Sequence, residues 1–134
     1  MYFWNPASAV AAAVQDGPRV LLIRRNLAPH RGSWALPAGY PEIDEDPRET
    51  ARREVREETG LEIEVGDLFD AVWIPDDPRK PANVLVYLCR PSGGKLQAGS
   101  DAAEAAWFDL EDLPEEVGFD NRERILARLP RPRG

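Results

Sequence analysis

The chain has 134 residues, 43% of them hydrophobic and 8% aromatic, enough for one globular domain with an ordinary core. A formal net charge of −7 argues against a duplex nucleic-acid binder, which needs a basic face, and no apolar run approaches the ~20 residues that span a bilayer. His30 is the only histidine and Cys89 the only cysteine, which excludes multi-histidine metal sites and any intramolecular disulfide.

The N-terminus lacks a basic region ahead of its apolar residues, so it reads as a strand rather than a signal peptide, and a cytoplasmic location is expected. Residues 8–14 are rich in alanine and valine and end at Gln15-Asp16-Gly17-Pro18, a strong turn signal. Residues 19–23 follow with Val-Leu-Leu-Ile, which predicts a hairpin whose continuous apolar character implies burial on both faces. Arg24 and Arg25 close the second strand before a loop that holds His30, read as exposed.

Residues 39–61 carry eight carboxylates. Asp46 is a good N-cap, Pro47 suits the first helical position, Glu49 sits where a capping-box acid belongs, and Gly60 is the expected stop, so a helix is predicted over residues 47–59. On it Glu54, Glu57 and Glu58 stand at i, i+3 and i+4 and share one face. They repel one another, and the two later ones oppose the helix dipole; Arg53 relieves part of this through an i, i+4 pair with Glu57. Two readings follow from these residues: a solvated, charge-rich helix, or a site for a hard divalent cation such as Mg²⁺, which takes oxygen ligands beside phosphates.

Beyond Gly60 a strand pattern runs over residues 62–72 with a turn at Gly66-Asp67, and continues through Trp73 to Ile74. A proline-rich charged loop separates it from residues 83–89, the most convincing central strand, with Ser92-Gly93-Gly94-Lys95 as its turn. Residues 96–107 hold a polar loop and a short strand, and residues 108–115 a turn-rich connection. Ile125, Leu126 and Leu129 fall at helical spacing, predicting a second helix over residues 121–129. The order strands, helix, strands, helix implies an α/β fold: one domain over residues 1–134, an α/β/α sandwich with a mixed sheet between helices.

Gly39, Glu45, Arg53-Glu54, Val55, Glu57-Glu58, Gly60 and Leu61 fill, without mismatch, the nine-position signature of the Nudix hydrolases, which the chain resembles. The resemblance implies metal-dependent hydrolysis of a diphosphate linkage in a nucleoside diphosphate joined to another moiety, with Mg²⁺ as cofactor and Mn²⁺ as a substitute. It implies Glu57 and Glu58 as metal ligands, Glu54 as a ligand or the base that activates water, and Arg53 orienting the glutamates by ion pairing. Gly39, Glu45 and Gly60 are structural within the motif. The backbone carbonyl of Ala38, which stands where the family usually has glycine, is a further ligand. Glu42 matches a second acid before the signature glutamate, whereas Asp44 replaces a common glycine. Arg25 is expected beside the substrate phosphates, since guanidinium meets phosphate oxygens in pairs. An additional ligand or base is expected from the loop before Trp107, with Asp101 favoured over Glu104. Tyr40, Trp73, Phe119 and Trp34 are candidates to stack on a nucleobase, and Asn121 to bond its edge, although each has an ordinary structural explanation. Pro75 resembles a proline of ADP-ribose-type members and tips the substrate toward ADP-ribose or a related nucleotide sugar. The alternatives are a sanitising enzyme for non-standard (d)NTPs and a catalytically silent nucleotide-binding domain. A nucleotide-type partner, no nucleic acid, no membrane and pairing as a homodimer complete the expectations.

Overall fold

Alanine and valine dominate the strand on which the whole fold is hung, β1 (Ala9–Asp16). In the computed structural model, which describes residues 8–25, 32–74, 82–99, 102–118 and 125–131, this strand is buried on both faces. Val10, Ala12 and Val14 face one way and pack with Ala51 and Val55 of the helix α1 (Pro47–Thr59). Ala11 and Ala13 face the other way and pack with Ile125, Leu126 and Leu129 near the C-terminus. The period of two along a strand, applied to an unbroken apolar run, thus feeds two cores at once.

Parallel pairing joins β1 to β6 (Ala82–Gly94), from Ala9 opposite Val84 to Val14 opposite Cys89. β6 pairs in turn antiparallel with β5 (Leu61–Ile74), and the two-residue strand β4 (Ala38–Gly39) lies antiparallel on the other side of β1. The predicted hairpin between β1 and β2 (Arg19–Arg25) exists only at its turn, where Gln15 faces Val20 and Asp16 faces Arg19. Beyond that turn the two strands part. β2 builds a second antiparallel layer with β3 (Trp34–Ala35) and β7 (Ala102–Asp109). The sheet is therefore mixed, and α1 packs on it as expected.

Helix α1 begins and ends where its capping residues require. The Asp46 carboxylate accepts from the Arg48 amide at 2.7 Å, Pro47 occupies the first turn, and Gly60 takes the left-handed conformation with φ 77° while its amide donates to the Arg56 carbonyl. Glu49 pairs with Arg52. Asp44, in the loop leading to the helix, has φ 62°, a left-handed conformation that glycine adopts freely and aspartate tolerates.

Three local expectations are corrected. Gly66-Asp67 is not a turn: β5 runs straight through it, and shifts of register between Val65 and Asp70 absorb the extra residues as bulges. A Cβ at Gly66 would lie 3.0 Å from the Leu88 carbonyl oxygen, so glycine serves close approach there. Nor does the chain turn at Ser92: β6 continues to Gly94, paired with Leu61. Near the C-terminus, residues 126–128 form a 3₁₀ turn that carries Leu126 into the core, while residues 121–124 lie outside the described residues. Among the described residues no helix is long and apolar enough to cross a membrane.

Candidate active site

Four of the eight carboxylates of residues 39–61 are gathered by one guanidinium. Arg53 donates from Nε to Glu45 Oε2 at 2.8 Å and from Nη2 to Glu45 Oε1 at 3.0 Å. Its Nη2 also reaches the Tyr40 carbonyl at 3.0 Å, and its Nη1 reaches Glu54 Oε1 at 2.9 Å and Glu57 Oε2 at 3.4 Å. Glu42 stands 3.4 Å from Nε at the solvent side. One cation thus faces four carboxylates.

Glu45 is the structural partner. Besides Arg53, it accepts from the Thr50 hydroxyl at 2.8 Å and from the Glu42 amide at 3.1 Å. The Arg53 hydrogen bonds hold its carboxyl down at about 2 despite the opposing effect of burial, and Glu45 in turn raises the already high pKa of Arg53. Thr50, fully buried, was not singled out by the sequence; its position one turn into the helix, five residues after Glu45, was the available signal.

Glu54 differs in kind. Its carboxylate lies against the backbone of Gly39: a Cβ there would sit 2.2 Å from Glu54 Cδ and Oε1. Burial pushes its carboxyl up, partly offset by Arg53 and reinforced by the neighbouring Glu57 charge. Glu57, on the next turn, is about half exposed, with 46% of its side-chain surface accessible. Glu58 beside it is buried. Residues 95–99 cover the end of this turn, with the Gly99 amide donating to the Glu58 carbonyl at 3.1 Å.

The donor set is one a hard divalent cation accepts. It consists of carboxylate oxygens, outnumbers the single guanidinium, and includes a desolvated carboxyl fitted into a glycine notch. Among the described residues no three acid, histidine or cysteine side chains already converge as a cluster able to hold a metal ion. Arg53 instead occupies the space between Glu54 and Glu57.

Of the remaining candidates, Ala38 lies on β4 opposite Ala11, one residue from the Glu54 notch. Arg25 ends β2 opposite Ala102, and its side chain lies outside the described residues. Asp101, Phe119, Asn121, Pro75 and His30 also lie outside them. Glu104 forms an ion pair with Arg24 at 2.8 Å. Tyr40 meets Arg53 through its carbonyl, Trp73 is half exposed at 48% on β5, and Trp34 packs edge-on against Phe108 with ring centroids 4.7 Å apart.

A model of the family described as the NUDIX domain matches residues 5–129. The chain belongs to the Nudix family. An ADP-ribose pyrophosphatase of Methanocaldococcus jannaschii is 40% identical to it over 125 residues, covering 92% of this chain and 73% of that protein. A human 8-oxo-dGDP phosphatase, NUDT18, is 37% identical over 78% of this chain and 32% of its own length. The crystal structure of a MutT NUDIX hydrolase from Burkholderia pseudomallei superposes with a TM-score of 0.83 at 28% identity, covering 95% of this chain and all of that one. This Nudix protein is accordingly an α/β hydrolase that acts on phosphoric anhydride bonds, in a family whose members generally use divalent metals and nucleotide substrates.

Proposed function

We propose that the protein hydrolyses the diphosphate linkage of ADP-ribose or a related nucleotide sugar, with Mg²⁺ as cofactor and Mn²⁺ as a substitute. The observation that carries the reading is the desolvated Glu54 carboxyl in the Gly39 notch, on the same helical face as Glu57 and Glu58. The choice of substrate rests on the 40% identity to an ADP-ribose pyrophosphatase.

Glu57, Glu58, the Ala38 carbonyl and Asp101 are the groups that would hold the cation, with Glu54 either joining them or serving as base. The chemistry a bound divalent cation supplies is neutralisation of phosphate charge and acidification of water. Glu54 suits a base because burial raises its carboxyl, which makes the carboxylate a stronger proton acceptor. A water gives its proton to Glu54 as its oxygen bonds to one phosphorus, the bridging P–O bond breaks, and AMP and the phosphorylated sugar leave. Arg53 holds Glu54 and Glu57 in place and takes no part in bond making. Arg25 is assigned to the substrate phosphates, Tyr40, Trp73 and Phe119 to the base-binding wall, Asn121 to the base edge, and Glu42 to the rim. The acidic composition supports a small-molecule nucleotide over nucleic acid as the partner.

A second reading, hydrolysis of oxidised or non-standard nucleotides, is favoured by the likeness to the human 8-oxo-dGDP phosphatase. A substrate panel with Mg²⁺ or Mn²⁺ separates the two. AMP release from ADP-ribose is the expected result, and activity confined to nucleoside triphosphates or 8-oxo-dGDP would overturn it. Glu57→Gln and Glu58→Gln should each lower turnover by orders of magnitude with the fold intact; near-normal activity in either rejects its ligand role.

A further inference from the structure

Helix C-termini fray because their last carbonyls lack intrahelical partners, and acidic side chains there oppose the helix dipole. The last turn of α1 carries Glu57 and Glu58, so it faces both problems. Residues 95–99 answer them: the amides of Lys95, Gln97 and Gly99 donate to the carbonyls of Gly60, Thr59 and Glu58 at 3.4, 2.7 and 3.1 Å. Every second amide of an extended segment thus points at the helix end, and Leu96 between them packs into the α1 side of the core.

The approach is too close for side chains. A Cβ at Gly60 would lie 2.4 Å from the Lys95 carbonyl oxygen, one at Gly94 would lie 2.5 Å from the Gly60 carbonyl oxygen, and one at Gly99 would lie 2.6 Å from the Glu57 carbonyl oxygen. Gly60 and Gly94 also need positive φ, but Gly99 does not, so close approach to Glu57 is its whole constraint. All three obstructing atoms are backbone and cannot swing aside.

We infer that residues 95–99 are a backbone clamp on the last turn of α1 and that Gly99 is a positioning residue for Glu57 and Glu58. The inference rests on those two glutamates being metal ligands. A side chain at Gly99 lifts the clamp and loosens the turn that presents both carboxylates.

The test uses Mn²⁺ alone, titrated by electron paramagnetic resonance, with amide hydrogen exchange as a second readout. Gly99→Ala should bind Mn²⁺ about tenfold more weakly than the unaltered protein. Gly93→Ala, whose new Cβ would meet only the Glu62 Cβ at 4.0 Å, should bind it normally. Glu57→Gln tests the underlying reading separately: normal Mn²⁺ binding there, or none in the unaltered protein, removes the metal site and the inference with it. If Glu57→Gln loses Mn²⁺ while Gly99→Ala binds as before, the clamp is refuted and the metal site stands. Should Gly99→Ala fail to fold, exchange in the unaltered protein decides. Mn²⁺ should slow the Gln97 and Gly99 amides together with those of the last turn of α1, and slowing of the helix amides alone overturns the clamp.

Discussion

Arg53 and Glu45 meet through two hydrogen bonds of 2.8 and 3.0 Å, a side-by-side pairing of guanidinium and carboxylate that leaves Nη1 for Glu54 and Glu57. Lysine keeps the charge but has no planar fork, so Arg53→Lys should cost about 3 kcal/mol of stability and release Glu54. Urea unfolding measures the first effect and kcat the second. In a double-mutant cycle with Glu45→Gln the two losses should fall well short of additive, because each variant breaks the same pair.

The same pair fixes the acid limb of stability. The Glu45 carboxyl, held at about 2 chiefly by Arg53, titrates below its unfolded value of about 4.3. A carboxyl with a depressed folded pKa contributes stability that is complete above the unfolded value and disappears as pH falls through the folded one. Stability should therefore drop between about pH 4.5 and 2, and Glu45→Gln should flatten that part of a denaturation-versus-pH curve.

Gly39 and Gly60 should respond oppositely to alanine. At Gly39 the three atoms nearest the new Cβ all belong to the flexible end of Glu54, which can move, so Gly39→Ala should leave the melting temperature nearly unchanged. Displacing that carboxyl should nonetheless cost about 100-fold in kcat. At Gly60 the Cβ meets the Lys95 carbonyl in a residue with φ 77°, and Gly60→Ala should cost about 2 kcal/mol or more. Thermal melts and steady-state rates on both variants check the contrast.

Asp44 holds φ 62° without a glycine's freedom. Asp44→Gly should be stabilising by about 0.5 kcal/mol, and Asp44→Val should lose about 1–2 kcal/mol, since a β-branched side chain tolerates the left-handed region poorly. Both differences are readable as shifts in the urea midpoint.

Helix α1 was legible to the residue because its boundary depends on side chains that act locally: the Asp46 cap, Pro47 and Gly60. The two-sided burial of β1 was legible for the same reason, an unbroken apolar run. Non-local events were not. The hairpin signal at residues 15–18 located the turn but could not tell that β2 leaves β1 for β7. Gly66 and Gly94 read as turns because glycine marks turns and close backbone contact alike, and only the partner strand distinguishes them. Within the site, the spacing of the glutamates on the helix was plain from the motif. The union of Glu45 with Arg53 was not read as a bidentate pair, since it spans the loop-to-helix bend, and the approach of residues 95–99 left no side-chain signature except glycine.

The alanines of β1 have a consequence beyond packing. Ala12 is buried under α1, and Ala11 and Ala13 are buried on the opposite side. Ala12 acts as a shim whose thickness is a single methyl group, and it helps set the height at which the acidic helix rides above the strands. A larger residue there would be felt as overcrowding of about 1–3 kcal/mol. It would also tilt the platform on which Glu54, Glu57 and Glu58 stand, so a residue of the strand core holds the gauge for the acidic face of the helix.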